Sequence, residues 1–266
     1  MPGSRERPTV ALVGCGRLGS ALVEGWLSSG AVDPRDLIIL TPSSKPAAEV
    51  ARARGARVNP DPAALREAGV VVLAVKPARW EAALEPLVGR LGPDALLVSV
   101  MAGVPAARLG AVAGRPTVRV MPTTAVAQAR GVAALWSGDA GALETARALF
   151  DPVATTVVLE AEDQMDAATA VAGSGPAFVY AFVEALARAG AAAGLSPHAA
   201  TDLARGALRS AGAGLDTDVS LDDLIGRIAS PGGTTRAGLD AMRASGDLER
   251  AAEAAVQAAV ERARSF

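Results

Sequence analysis

The chain has 266 residues, half of them apolar and a fifth charged, and its formal net charge is −2 at pH 7. This length allows one large domain or two ordinary ones, and the composition is globular rather than disordered. The near-neutral charge gives no indication of the basic face that a nucleic-acid surface would need. Cys15 is the only cysteine, which excludes an internal disulfide and favours a reducing, cytoplasmic location. The polar residues 1–8 predict a loose tail without the apolar core of a signal peptide.

The first half of the chain predicts strands that alternate with helices. Short apolar runs rich in β-branched residues occupy 9–13, 37–40, 70–75, 96–100 and 117–120. Helical segments follow the first four runs, the first of them reaching about Ser29, and shorter runs at 131–136 and 155–160 extend the sheet edge. Continuous apolar strands that alternate with helices predict a parallel sheet covered on both faces.

The pattern changes after Glu162, where no comparable strand run follows. Residues 178–194 form a long helix candidate, and residues 248–264 carry apolar side chains at helical spacing. We therefore predict an α/β domain over 1–161 and an all-helical domain over 162–266. The abundant alanine and glycine favour close helix packing.

An uncharged stretch at 167–183 could be mistaken for a membrane span. The sequence Gly173-Ser174-Gly175-Pro176 is predicted to break it into a loop and a buried helix. The remainder is too short to cross a bilayer, so no membrane association is expected.

A glycine-rich turn follows the first strand and opens the first helix. Its glycines are Gly14, Gly16 and Gly19, with Arg17 and Leu18 between them. In this context the first glycine permits a tight turn, the second lets a pyrophosphate approach the backbone, and the third lets the helix lie against the strand. The helix N-terminus offers N–H groups to the phosphates. We predict a Rossmann-type dinucleotide site; the alternative is an ordinary strand–helix turn.

The end of the second strand bears on the choice of cofactor. An acidic residue there would bind the ribose hydroxyls and favour NAD. This chain instead has Thr41, Ser43, Ser44 and Lys45, and no carboxylate before Glu49. Hydroxyls and a lysine suit a 2′-phosphate, so we predict a preference for NADP. For Lys45 alone, the alternative is a solvated surface lysine.

Five further motifs, taken in order, resemble one family. They are LAVKP at 73–77, VSVMAGV at 98–104, RVMPTT at 119–124, VAGSGPAFVYAFVEAL at 171–186 and SPGGTT at 230–235. Together they resemble the Δ1-pyrroline-5-carboxylate reductase family over nearly the whole chain from Val10 onwards. The resemblance implies NAD(P)H-dependent reduction of a cyclic imine to proline. It also implies a Rossmann domain, an interwoven helical dimer and often a ring of dimers.

Two positions depart from the family pattern. The family usually has Asn where this chain has Arg17, and Met-Pro-Asn-Thr-Pro where this chain reads Met-Pro-Thr-Thr-Ala over 121–125. Both places border the cofactor in the family. The hydroxyl of Thr123 replaces some hydrogen bonds of an amide but not its paired donor and acceptor.

The motifs at the strand ends supply the remaining cofactor candidates, because ligands of an open parallel sheet bind beyond the carboxyl ends of the strands. Lys76 is a candidate donor to a ribose or phosphate; its alternative is a plain charge at a strand end. The resemblance places the nicotinamide near the small residues at 101–103. The predicted cofactor contacts in these segments are Ala74, Lys76, Pro77, Met101, Ala102, Gly103 and Thr123.

The SPGGTT stretch is the candidate substrate site. A backbone turned by Gly232 and Gly233 can present N–H groups to a carboxylate at a helix start. The predicted substrate-binding residues are Ser230, Gly232, Gly233, Thr234, Thr235 and Ser174. By resemblance, Thr235 hydrogen-bonds the imine nitrogen and is the catalytic candidate. The alternatives are that Thr234 only caps the helix and that Ser174 serves capping and packing.

Two other function classes stay open. A related reductase of another imine or a β-hydroxy acid would commonly use a lysine in its helical domain, whereas the two lysines here, Lys45 and Lys76, lie in the first domain. The other class is a non-catalytic nucleotide-binding regulator with the same fold. The one histidine, His198, is predicted to be exposed at a helix start, which argues against serine–histidine or zinc chemistry, and no metal site is predicted.

Overall fold

The computed structural model describes residues 8–215 and 217–264. Most of the predicted tail at 1–8 lies outside the described residues. The described chain forms two compact units, one made of 8–173 with 259–264 and the other of 174–258. Residues 162–173 therefore belong to the first unit, whereas the change of sequence pattern predicts a boundary between 161 and 162.

The first unit is built on an eight-stranded sheet with the order β3-β2-β1-β4-β5-β6-β7-β8. The strands are β1 Thr9–Val13, β2 Leu37–Leu40, β3 Arg57–Val58, β4 Ala68–Leu73, β5 Leu96–Ser99, β6 Thr117–Pro122, β7 Gly131–Trp136 and β8 Ala154–Val158. All seven runs predicted from the sequence form strands. The two-residue β3 was missed because it contains no apolar run.

Helices cover both faces of the sheet, as predicted. They are α1 Arg17–Ser29, α2 Pro46–Ala53, α3 Trp80–Val88, α4 Ala106–Ala113 and α5 Ala140–Phe150. Alternate side chains of the strands point to opposite faces, so Val10 and Leu12 pack with α1, α2 and α5, while Ala11 and Val13 pack with α3 and α4. Burial on both faces explains why these strands are continuous apolar runs.

One strand runs against the others. β7 pairs antiparallel with β6, and β8 is parallel to β7. A parallel return from β6 would need a crossover of a dozen or more residues. Only residues 123–130 separate β6 from β7, so the chain turns back directly. The prediction of a parallel sheet is correct for β1 to β6 and wrong for this edge.

The C-terminal region is helical. Its helices are α6 Met165–Ala168, α7 Gly175–Ala192, α8 Pro197–Gly214, α9 Leu221–Ile228, α10 Thr234–Ala244 and α11 Asp247–Arg264. The predicted loop at 173–176 is wrong, because Thr169–Ser174 forms π-helix and the chain is helical without interruption over Glu162–Ala192. Pro176 lies in the first turn of α7, where the missing N–H of proline costs little.

The predicted burial of α7 is also absent from the single chain. No residue of α7 is buried, and Phe178, Tyr180, Phe182 and Leu186 are among its exposed apolar side chains. By length and composition alone, the continuous helix could cross a membrane. An exposed apolar patch of this kind is typical of a surface that contacts another protein chain or a membrane.

Gly25 tests the packing of α1. A Cβ at this position would lie 2.2 Å from the carbonyl oxygen of Val126. Replacing glycine by alanine inside a helix normally stabilises the helix by about 1 kcal/mol. A clash of the added Cβ with backbone atoms instead destabilises the protein by about 1–3 kcal/mol or more. We expect Gly25→Ala to destabilise the protein.

Urea unfolding at a fixed protein concentration measures this effect. Gly89→Ala is the matched control, because its φ of −73° suits alanine and its Cβ would meet no atom within 4 Å. The control is expected to change the free energy of unfolding by less than about 1 kcal/mol. Equal stability of the two variants would contradict the packing argument.

Candidate functional site

The glycine-rich turn has the geometry that a dinucleotide requires. Gly14 has a φ of +99°, and a Cβ there would lie 2.7 Å from the carbonyl oxygen of Ala74. A Cβ on Gly19 would lie 2.2 Å from the carbonyl oxygen of Gly14. These two glycines therefore serve the turn and the packing of α1. At Gly16, by contrast, a Cβ would meet nothing within 4 Å, so its surroundings are open to a ligand.

The N-terminus of α1 keeps its backbone donors available. Its N-cap is Gly16, which has no side chain to bond them, and the first intrahelical bond runs from the N–H of Ser20 to the carbonyl of Gly16. The N–H groups of Arg17, Leu18 and Gly19 precede that bond. Arg17 is exposed and adds a positive charge at this place. The arrangement fits the pyrophosphate of a dinucleotide.

Backbone hydrogen bonds hold the ends of three strands together around this turn. The N–H of Gly14 donates to Leu40 at 2.8 Å, and the N–H of Ala74 donates to Val13 at 2.8 Å. The structure thus brings the glycine turn next to the segments that follow β2 and β4. These segments contain the predicted 2′-phosphate residues and Lys76.

In the segment after β2, some polar groups are hydrogen-bonded within the chain and others are free to bind a ligand. The hydroxyl of Thr41 is buried and donates to the carbonyl of Ser43 at 2.9 Å. Ser43 and Ser44 are exposed, and Ser44 donates to a carboxylate oxygen of Glu49 at 3.0 Å. Lys45 is half-buried at the start of α2 and forms no ion pair in the described chain. Lys45 is therefore the charge available to a 2′-phosphate, while Thr41 shapes the turn.

Asn59 shapes the same turn and was missed by the sequence analysis. Its side-chain amide accepts from the N–H of Thr41 and donates to the carbonyl of Thr41, both at 2.9 Å. The backbone of Asn59 has a φ of +49°, which asparagine adopts more readily than most residues. The asparagine that follows the short β3 is the sequence signal that could have indicated this role.

A cleft of about 500 Å³ lies beyond the carboxyl ends of β4 and β5. It is lined by Lys76 and Pro77 on one side and by Gly103 and Val104 on the other. The side chain of Arg108 lies over the Trp80 ring at 5.5 Å and pairs with Glu81 at 2.8 Å. The structure thus brings together two segments that the sequence analysis assigned to the cofactor. Lys76 is exposed and has no ion-pair partner in the described residues.

The small-residue segment after β5 is partly enclosed. Met101 is buried, and its N–H donates a 3.4 Å hydrogen bond to the hydroxyl oxygen of Ser99. Ala102 and Gly103 are half-buried, and Gly103 turns the chain with a φ of +72°. The segment therefore presents backbone rather than large side chains beyond the end of β5.

Thr123 is hydrogen-bonded to strand β7. Its N–H donates to the carbonyl of Val132 at 2.9 Å, and its hydroxyl oxygen accepts from the N–H of Val132 at 3.2 Å. The hydroxyl hydrogen remains for a ligand. The residue that departs from the family pattern thus continues the pairing of β6 with β7.

The SPGGTT stretch in the second unit forms a turn that leads into α10. The N–H of Gly233 donates to the carbonyl of Ser230 at 3.0 Å, and Gly232 has a φ of +71°. Proline followed by glycine at the two central positions is the sequence of a type II turn. A Cβ on Gly233 would lie 2.7 Å from the Ser230 hydroxyl, so a larger residue at 233 would require the Ser230 side chain to move.

Thr234 does not cap α10, so the alternative in which it only caps the helix is excluded. The N-cap of α10 is Gly233, without a side-chain hydrogen bond, and Thr234 is the first helical residue. The hydroxyls of Thr234 and Thr235 are exposed and make no hydrogen bond within the described chain. The first N–H groups of α10 are free as well, since the first helical bond joins Ala237 to Gly233. Two hydroxyls and several N–H groups are therefore available together.

Ser174 lies at the junction of the π-helix and α7. Ser174 is the N-cap residue of α7, and its side chain is half-buried but makes no capping hydrogen bond. π-helical turns within α-helices occur frequently at functional sites.

Comparison with known proteins agrees with these features. Residues 162–266 match the family model of pyrroline-5-carboxylate reductase dimerisation, and residues 9–103 match the model of NADP oxidoreductase, coenzyme F420-dependent. A pyrroline-5-carboxylate reductase of Pseudomonas aeruginosa is 35% identical over 262 residues, covering 96% of this chain and 95% of that protein.

Two solved structures share the whole fold. A pyrroline-5-carboxylate reductase of Coxiella burnetii has a TM-score of 0.88 at 28% identity and covers 98% of both chains. The pyrroline carboxylate reductase of Plasmodium falciparum, solved with NADP bound, has a TM-score of 0.80 at 26% identity over 98% of this chain and 99% of that one. Identity of 35% with near-complete coverage shows that this chain belongs to the pyrroline-5-carboxylate reductase family.

Proposed function

We propose that this chain reduces 1-pyrroline-5-carboxylate to L-proline with NADPH. The observation that carries the proposal is the open space at Gly16 beside the uncapped N-terminus of α1, in a member of this family. NADPH, when bound, supplies the hydride that reduces the C=N bond of the imine. The residues of the chain then have to bind the dinucleotide, orient the imine and place a hydrogen-bond donor against its nitrogen, which takes up a proton as the carbon receives the hydride.

The preference for NADPH over NADH rests on the segment after β2. Lys45 is the positive charge at the start of α2, next to the exposed hydroxyls of Ser43 and Ser44. The carboxylate of Glu49 is engaged by Ser44 and by Arg52. A phosphate group gains charge-assisted hydrogen bonds from such a set, whereas a 2′-hydroxyl does not.

The substrate part of the proposal rests on the SPGGTT turn. Free N–H groups at the start of α10 suit the carboxylate of the imino acid. The hydroxyl of Thr235 donates a hydrogen bond to the imine nitrogen. Thr234 and Ser230 contribute further polar contacts to the substrate. Ser174 completes the proposed substrate set. No charged catalytic pair is required, because orientation supplies much of the rate enhancement of such a reaction.

The assembly and location of the protein complete the proposal. We infer a homodimer, supported by the match of 162–266 to a dimerisation model and by the exposed apolar side chains of α7, which a second chain would cover. We further infer a division into a cofactor domain at 1–161 and a helical domain at 162–266, assembly of dimers into a ring, and function in the cytoplasm.

The cofactor assignment predicts a selective effect of Lys45→Met. Loss of a charge-assisted contact costs about 1.5–3 kcal/mol, so KM for NADPH should rise roughly 10- to 100-fold. KM for NADH should stay within about twofold, because NADH has no 2′-phosphate. Steady-state assays with both cofactors measure this.

Arg54→Met is the matched control for the cofactor assay. It removes the same charge at the opposite end of α2 and should leave the ratio of the two KM values unchanged. A parallel rise for NADPH and NADH in Lys45→Met, or a wild-type preference for NADH, would refute the cofactor assignment.

The donor role of Thr235 predicts a loss of turnover in Thr235→Ala. Removing one preorganised donor lowers kcat by about 100-fold when it stabilises the transition state. Thr235→Ser should retain most of kcat. Thr234→Ala is the matched control and should raise KM for pyrroline-5-carboxylate more than it lowers kcat. Full turnover by Thr235→Ala would exclude the donor role, and a larger kcat loss in Thr234→Ala would transfer it to Thr234.

A further inference from the structure

An ion pair between a buried arginine and a partly buried glutamate in the first unit has no role in the chemistry described above. Arg119 lies in β6, is 5% exposed, and donates from Nη1 to Oε1 of Glu162 at 3.2 Å. Glu162 opens the short 3-10 turn that precedes α6, far along the chain from β6. The two residues thus connect the middle of the sheet to the first turn of the helical region.

The same carboxylate oxygen also binds the start of α4. Oε1 of Glu162 accepts from the N–H of Ala106 at 2.7 Å. Ala106 is the first residue of α4, and its N-cap, Pro105, has no side chain that could bond the free N–H groups. Glu162 therefore acts as a cap supplied from a distant part of the sequence. A negative charge at a helix N-terminus is favoured by the helix dipole.

Stability alone does not account for the ion pair. Nε and Nη2 of Arg119 are buried and have no hydrogen-bond partner in the described structure. Well-packed apolar residues often replace a buried ion pair without loss of stability, so a pair with two unsatisfied donors is a poor stabilising device. What the ion pair does achieve is to hold the Glu162 carboxylate in place against the N–H of Ala106.

We propose that Arg119 and Glu162 are positioning residues for the nicotinamide. The segment Met101–Pro105 lies between β5 and Ala106, and Met101–Gly103 are the candidate nicotinamide contacts. β5 fixes one end of this segment, and the hydrogen bond from Ala106 to Glu162 fixes the other. Arg119 orients Glu162 for that bond. This inference rests on the proposed function, because it requires hydride transfer from a nicotinamide beside that segment.

The first test is Glu162→Met. Small misplacement of reacting groups costs up to about 100-fold in rate, so we expect kcat to fall roughly 10- to 100-fold. The Kd of NADPH should change less than about threefold, because the glycine turn that binds the phosphates is untouched. The primary isotope effect on kcat with C4-deuterated NADPH should rise, because hydride transfer becomes rate-limiting. A merely structural role would lower the active fraction without raising the isotope effect.

A second readout does not depend on activity. Amide hydrogen exchange of the free protein should accelerate about tenfold at 101–106 in Glu162→Met, because the Ala106 N–H loses its acceptor and the segment opens more often. The Glu67→Gln variant is the control, since Glu67 pairs with Arg57 at 2.8 Å beside the edge strand β3. It should leave both exchange at 101–106 and kcat unchanged.

Glu162→Met also leaves the charge of Arg119 buried without a partner, which destabilises the protein. Two double variants separate this loss of stability from the loss of positioning. Arg119→Met/Glu162→Met removes both charges and the acceptor, whereas Arg119→Met/Glu162→Gln keeps an amide oxygen for Ala106. We expect both to regain thermal stability relative to Glu162→Met, and the Gln form to have the higher kcat. Recovery of kcat in the Met form, or equal kcat in both forms, would overturn the inference. Absence of turnover in the wild type would instead refute the proposed function, while the exchange measurement would still decide the role of Glu162.

Discussion

The cofactor half of this structure depends on one close backbone approach. Gly14 lies so near Ala74 that a Cβ on Gly14 would be 2.7 Å from the Ala74 carbonyl oxygen. A Cβ on Gly19 would be only 2.2 Å from the carbonyl oxygen of Gly14. This contact brings the end of β1, the end of β4 and the start of α1 together. Since α1 begins at that point, its unbonded N–H groups are directed to the edge where the strands end. Phosphate binding and strand packing therefore have the same geometric origin.

The sequence predicted the features that arise from local chemistry. Continuous apolar runs predicted seven of the strands, because burial on both faces of a parallel sheet requires such runs. The glycine turn was predictable because Gly14 and Gly19 are required by contacts within one strand–turn–helix unit. Lys45 and the SPGGTT turn were predicted as site residues, and their roles remain proposals. The conformation of that turn follows from its own proline and glycines.

Features that depend on distant partners were not predictable from one sequence. The hydroxyl of Thr123 is engaged by Val132, and the direction of β7 follows from a short connection that propensities do not weigh. The stretch at 173–176 contains residues typical of a loop, yet it continues a helix through a π-helical turn. Glu162 resembles an ordinary first-turn acid, and only the fold shows that it caps α4. Each of these outcomes was decided by tertiary contacts.

The exposed face of α7 shows why the single chain is not the complete structural unit. Phe178, Val179, Phe182 and Leu186 are exposed along one helix, and burying such side chains contributes about 1.5–3 kcal/mol each. An exposed apolar face of this size indicates a surface that a partner covers, and the match of 162–266 to a dimerisation model supports oligomerisation through this region. The π-helical turn containing Ser174 lies in the same continuous helix. The proposed dimer surface and the proposed substrate residue Ser174 therefore lie on one continuous helix, so changes that weaken the proposed dimer are expected to change substrate binding as well.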